Sequence, residues 1–293
     1  MIHYEALEKL DALRGLADVK KTTLDILAFI EVARKRKELG LKNERQSNHF
    51  VFTGKPGTGK TTVARILGEL MVEANVLKKP KRSSDDDYND SIPFIEKGGA
   101  DFADKYSGGA EKNMREAFEE ARGGVLFIDE AYALQPPGEN HSNGQAEGAL
   151  TTLVQMMENY RDEVMVILAG YEDRMKKLID WNPGLSSRIS HKIHFPDYAL
   201  PELIEIADSI LVEKEYTISV EFERQLRLRL EQEMRRKDFS NGRTVRNLLE
   251  QAMRNQAYRL MYVDMCLDST DPDMFMKLIP EDLDPSLKPV ATA

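Results

Sequence analysis

The chain has 293 residues, 41% of them hydrophobic and 31% charged, and carries a formal net charge of −9. This excludes wholesale disorder and leaves room for one large domain or two moderate ones. The acidic balance argues against a broadly basic nucleic-acid-binding surface, and the lone cysteine, Cys266, excludes an intrachain disulfide or a multi-cysteine metal site.

In chain order, the N-terminus shows no apolar signal-peptide core, and no run approaches the ~20 residues of a membrane span. A cytoplasmic location is therefore expected, or an organellar one after loss of a targeting peptide. Residues 1–40 read as helical, with Val19, Thr23, Ile26, Ile30 and Ala33 on one face and Gly40 as the stop. Gly15-Leu16-Ala17-Asp18-Val19-Lys20 breaks that reading as a turn, and 34–37 form a solvated charged face.

Phe50-Val51-Phe52 reads as a strand and leads into Gly54-Lys55-Pro56-Gly57-Thr58-Gly59-Lys60-Thr61. This has the form G-x-x-x-x-G-K-[ST], and the apolar spacing of Val63, Ile66, Leu67, Leu70 and Met71 places a helix after it. Gly54, Gly57 and Gly59 allow a tight turn that points successive N–H groups at phosphate oxygens, and the helix N-terminus favours an anion. Lys60 supplies a point charge for the β and γ phosphates, and Thr61 a hydroxyl for Mg²⁺.

From 78 to 91 the apolar pattern is lost, and the basic then acidic stretch reads as an exposed loop. Pro93-Phe94-Ile95-Glu96 reads as a short strand. Tyr106-Ser107-Gly108-Gly109 precedes a helix over 110–121 with Met114, Ala117, Phe118 and Ala121 on one face.

Gly124-Val125-Leu126-Phe127-Ile128-Asp129-Glu130 has the continuous apolar run of a central parallel strand, and its two carboxylates stand at the C-terminal end, where open α/β sheets bind ligands. Beside a phosphate loop, Asp129 is suited to hold Mg²⁺ through water and Glu130 to polarise an attacking water. A polar loop over 136–144, a helix over 145–158 and a second buried strand over 164–169 follow. After Phe195-Pro196-Asp197-Tyr198 the reading is helical. The three stripes are Leu203, Ile206, Ala207, Ile210 and Leu211; Phe222, Leu226 and Leu230; and Val245, Leu248, Leu249, Ala252, Gln256, Ala257 and Leu260. The expected architecture is α/β: a doubly wound parallel sheet with a phosphate loop (1–196), a small α-helical lid (197–267) and a C-terminal tail (268–293).

This order of motifs resembles the AAA+ ATPases. Gly123-Gly124 through Ala131-Tyr132, Ile167-Leu168-Ala169-Gly170-Tyr171, Asn182-Pro183-Gly184-Leu185-Ser186-Ser187-Arg188 and Phe195-Pro196-Asp197-Tyr198 are similar to the CbbX/CfxQ and SpoVK group, which includes the red-type Rubisco activase. The resemblance covers about Leu13 to Leu260. It implies an ATPase with ATP and Mg²⁺ as ligands and a homo-oligomeric ring, expected to be a hexamer, acting on a client protein, with neither membrane nor nucleic acid as partner.

Further residue roles are implied by the same resemblance. Arg188 matches the arginine finger that completes a neighbouring subunit's site, the alternative being a surface arginine paired with a carboxylate. Arg243 matches the lid arginine that senses nucleotide, with Arg246 its rival one turn on. Gly15 and Leu16 match the segment lining the adenine pocket, Thr62 extends the phosphate-binding set, and Tyr106-Ser107-Gly108 match the aromatic pore loop. Two departures stand out. Ala169-Gly170 occupy a strand end where a polar water-orienting residue is usual, leaving that role empty or passing it to Tyr171 or a neighbour. Ser107 stands where the pore loop carries an aliphatic residue. The expected activity is ATP-driven remodelling of a client, the alternative being a scaffold whose assembly ATP gates.

Overall fold

The computed structural model describes residues 4–42, 47–77, 92–102, 108–135 and 144–283. The chain divides into two compact units, Met1–Lys55 with Gly59–Pro196, and Pro56–Thr58 with Asp197–Ala293. Among the described residues no helix is long and apolar enough to cross a membrane. The expected loop at 78–91, most of that at 136–144, and Tyr106 and Ser107 lie outside the described residues.

The first unit runs α1 (Glu5–Ala12), α2 (Ala17–Glu38), β1 (Phe50–Gly54), α3 (Lys60–Glu73), β2 (Phe94–Gly98), α4 (Gly109–Glu120), β3 (Gly124–Asp129), α5 (Gly144–Asn159), β4 (Val164–Gly170), α6 (Glu172–Trp181), α7 (Pro183–Arg188) and β5 (His191–Phe195). The five strands form one parallel sheet in the order β2-β3-β4-β1-β5. Every residue of β4 is buried, and so are Val125 to Ile128 of β3. Alternate residues serve opposite faces. Val51, Leu126, Ile128, Val166 and Leu168 join the core beneath α4 and α5, with Met114, Phe118, Leu150 and Leu153. On the other face Gly68 of α3 comes so close that a Cβ there would lie 2.4 Å from Val125 Cγ2. Covering both faces is what makes these strands continuously apolar.

β5 was absent from the sequence reading. It is an edge strand in which His191, Lys192 and His194 alternate with buried Ile193 and Phe195, so it lacks the apolar run that marks β3 and β4.

The second unit contains α8 (Leu200–Glu213), β6 (Thr217–Ile218), α9 (Val220–Met234), α10 (Gly242–Tyr262), α11 (Pro272–Met276), β7 (Lys277–Leu278) and α12 (Pro280–Leu283). Ser219 caps α9 by accepting from Phe222 N at 3.1 Å. Phe222, Leu226, Leu230, Val245, Leu249 and Ala252 are buried.

The stretch 272–283, expected within a tail, is ordered against the lid. β7 pairs with β6, Leu278 is buried, and Asp282 is 1% exposed. The Asp282 carboxylate accepts from Arg259 Nε at 2.9 Å and Nη2 at 3.0 Å, and its carbonyl accepts from Asn255 Nδ2 at 2.7 Å. Short spacing and prolines hid this segment, because its order rests on pairs more than 20 residues apart in sequence. Asp282→Ala leaves Arg259 without its buried partner, and urea unfolding should show a loss of roughly 2–4 kcal/mol.

His49, just before β1, is a second buried polar anchor. Its Nδ1 accepts from Val166 N at 3.1 Å, and its Nε2 donates to Met157 O at 2.9 Å. The two backbone groups define the tautomer, since an N–H only donates and a carbonyl only accepts. Burial pushes the His49 pKa down from 6.5 to about 4. The unfolded chain therefore binds the extra proton. This contribution to stability is complete above pH ~6.5 and falls as pH drops toward 4. Urea unfolding at pH 7 and pH 5 should differ by about 2 kcal/mol more in the parent than in His49→Gln.

Candidate functional site

The parallel register brings Gly54 and the Asp129–Glu130 pair to one sheet edge. Thr53 pairs with Gly170, and Ile128 with Leu168, so the C-terminal ends of β1, β4 and β3 lie side by side. Gly54 closes β1 and Asp129 closes β3, two strands away, about 10 Å at the usual strand spacing. Gly54 has φ +148°, and a Cβ there would lie 2.4 Å from the Phe195 carbonyl oxygen, so only glycine lets the chain leave β1 beside β5. Gly59 leads into α3 with φ 91°. Lys60 Nζ folds back and donates to Gly54 O at 2.8 Å and Lys55 O at 2.7 Å, which sets the ammonium at the loop. Thr61 is half-buried and Thr62 exposed in the first turn of α3, where the helix leaves backbone N–H groups without intrahelical acceptors.

Asp129 Oδ1 accepts from Glu130 N at 2.9 Å, which fixes the carboxylate at the strand end. Glu130 is exposed and left-handed, with φ 50° and ψ 38°. Its carbonyl accepts from Ala133 N at 2.8 Å, and a Cβ on Gly99 would stand 2.5 Å from that same oxygen. The surrounding backbone thus holds a conformation costing about 1–2 kcal/mol for a residue with a Cβ.

In the second unit, Pro56–Thr58 of the loop join Tyr198, Asn241 and Gly242. Gly242 N donates to Gly57 O at 3.0 Å, and the Tyr198 hydroxyl donates to Thr58 O at 3.3 Å. Asn241 is fully buried, accepts from Tyr198 N at 2.9 Å and donates to Asp197 Oδ1 at 2.9 Å. Burial pushes the Tyr198 pKa up to about 12, so its hydroxyl stays a donor. Gly57 has φ +73°, and its missing Cβ would lie 2.1 Å from Ser240 O. Tyr198 stands in a stretch quoted above for its resemblance, but the sequence assigns neither Tyr198 nor Asn241 a role of its own. The available signal was Asn-Gly before a helix, the residue pair best able to take positive φ, and Asn241 has φ 49°.

Arg243 and Arg246 are both exposed in the first turns of α10, and neither side chain has a partner among the described residues. Gly15 and Leu16 both have positive φ at the α1–α2 turn, where Lys20 Nζ donates to Asp11 O at 2.9 Å and Leu13 O at 2.6 Å. Leu16 is buried. Gly108 precedes α4 with φ +83°. Asn182 caps α7 by accepting from Leu185 N at 3.0 Å. At the far end of α7, Arg188 Nε lies 3.5 Å from Glu158 Oε2, and its Nη1 donates to Gly184 O at 3.2 Å. Within one chain Arg188 is thus paired with a carboxylate.

A family model described as the ATPase family associated with various cellular activities (AAA) matches residues 50–197. The chain belongs to the AAA ATPase family. A model for the AAA lid domain matches residues 200–293 of this ATPase. The stage V sporulation protein K of Bacillus subtilis is 40% identical over 268 residues, covering 90% of this chain and 79% of that protein. Protein CbbX of Cereibacter sphaeroides is 40% identical over 257 residues, 87% of this chain and 79% of its own. A chloroplastic ribulose bisphosphate carboxylase/oxygenase activase of Cyanidioschyzon merolae is 38% identical over 257 residues, 87% of this chain and 83% of its own. The crystal structure of the FIGL-1 AAA domain superposes with a TM-score of 0.61 at 19% identity, over 93% of this chain and 80% of that one, a likeness of fold.

As an AAA ATPase the protein binds and hydrolyses ATP. Gly54→Ala forces a side chain against the Phe195 carbonyl, and titration with a fluorescent ATP analogue should show nucleotide affinity down about tenfold or more.

Proposed function

We propose that Gly54 to Thr62 hold the ATP phosphates, that Lys60 neutralises the β and γ phosphates, and that Glu130 polarises the water that attacks the γ-phosphate. The observation that carries this reading is the shared sheet edge: β1 delivers the phosphate loop, and β3 delivers Asp129 and Glu130 beside it. Thr61 and Asp129 offer the hard oxygen ligands that Mg²⁺ prefers, and two protein oxygens suffice when phosphates and water complete the shell. When bound, Mg²⁺ supplies charge neutralisation between the β and γ phosphates.

Gly15 and Leu16 form the adenine-side wall in this reading, and Arg243, unpaired and exposed among the described residues, answers to the nucleotide from the lid. Arg188 completes the site of the next subunit in a ring, taken to be a hexamer. Its contact with Glu158 is a 3.5 Å, partly exposed pair, so exchanging it for a phosphate costs little. AAA proteins typically assemble, and relatives that include a named Rubisco activase support a protein client. ATP-driven motion of the ring would then remodel that client, with Tyr106, Ser107 and Gly108 as the gripping loop.

Steady-state hydrolysis tests the cis and trans halves separately. Glu130→Gln should lower kcat by roughly 10²-fold or more with ATP affinity retained, and parental turnover would sink the assignment. Arg188→Ala should lose roughly 10²-fold in kcat. Mixing it with Lys60→Ala, which supplies Arg188 but lacks the phosphate lysine, should restore part of the rate. No recovery on mixing would place Arg188 outside a shared site.

A further inference from the structure

The sheet edge has a gap in its chemistry. β4 lies between β1 and β3, yet it ends in Ala169 and Gly170, which carry no polar side-chain atom. A water between the phosphate loop and Glu130 finds no side chain of β4 to orient it.

The space above Gly170 is nevertheless filled. A Cβ on Gly170 would lie 2.9 Å from Tyr132 Cδ1 and 2.9 Å from Met175 Sδ. Tyr132 belongs to the 3-10 turn Ala131–Leu134, which starts directly after the left-handed Glu130. Its phenol is coupled to the side chains of Glu130 and of Arg174 in α6, the carboxylate raising its pKa and the guanidinium lowering it. The Arg174 guanidinium stands over the Tyr132 ring at 4.8 Å and near the Tyr171 ring at 5.5 Å, and the two rings are 6.3 Å apart. Arg174 can only donate, and an ionised carboxylate can only accept, so between the two the phenol proton is free to serve Glu130.

We infer that Tyr132 is the positioning residue for Glu130 and does the orienting work that the bare end of β4 leaves undone. The glycine at 170 is what admits its ring, and Arg174 clamps the ring in place. With one acceptor site of Glu130 held by Tyr132, the other carboxylate oxygen is directed toward water, which removes rotational freedom before the reaction begins. Burial above all, then the neighbouring Glu130 carboxylate, raises the Tyr132 pKa above its ordinary value of 10.0, so the hydroxyl keeps its proton.

This inference rests on the proposed role of Glu130, and the tests keep the two apart. Tyr132→Phe retains the ring over Gly170 and removes only the hydroxyl. Its kcat should fall about tenfold, the worth of one oriented hydrogen bond, with KM for ATP and melting temperature unchanged. Arg174→Met should lower kcat in the same sense, and the double variant should be no slower than Tyr132→Phe alone, because both act through one hydroxyl. Gly170→Ser, which puts a hydroxyl at the strand end but expels the ring, should slow turnover. Parental kcat in Tyr132→Phe, or a loss confined to KM or melting temperature, overturns the inference. Should Tyr132→Phe fail to fold, Arg174→Met decides, since it leaves the Tyr132 side chain itself unaltered and removes only its clamp, and parental kcat there is equally contrary. Parental turnover in Glu130→Gln would instead overturn the reading of Glu130 itself.

Discussion

The parallel ladder through β4 is the constraint on which the rest depends. A strand buried on both faces must satisfy its backbone within the sheet, and β4 does so against β1 and β3 at fixed registers. Those registers leave no freedom in where β1 and β3 end. The start of the phosphate loop and the Asp129–Glu130 pair arrive at one edge because the hydrogen bonds of the sheet put them there. His49 extends the same logic by one residue, with its ring satisfying Val166 N where β1 has not yet begun. The edge that carries the candidate site and the core are thus one structure, and packing defects in the core would be felt as misplacement at the edge.

The second unit is organised by polar contacts rather than by a sheet. Asn241 is buried with both ends of its amide engaged, and it ties Asp197 and Tyr198 to the start of α10. Satisfying all of these groups together demands one arrangement of the segments, which gives a small helical unit a defined geometry that apolar stripes alone would leave loose. At the other end, Arg259, Asn255 and Asp282 fasten the C-terminal segment in a similar way.

What the sequence revealed follows from range. β3 and β4 were legible because burial on two faces writes itself as an unbroken apolar run, and the turn from β1 toward α3 because its glycines take conformations that local geometry demands. β5 was not legible, since a half-exposed edge strand carries His191, Lys192 and His194 among its few apolar positions. The ordered segment 272–283 was hidden because Asp282 acts through partners far away in sequence. The Tyr132 arrangement was hidden for a subtler reason. Its signal is a missing atom at Gly170, and an absent Cβ acquires meaning only when the ring that fills the space is known.

The left-handed backbone at Glu130 ties this chemistry to evolution. A side chain with a Cβ is disfavoured there by about 1–2 kcal/mol, whereas glycine sits without strain and asparagine with little. A copy of the gene released from the need to turn over ATP would gain stability by drifting to either residue. On the proposed role of Glu130, keeping a glutamate here trades that much stability for the reaction.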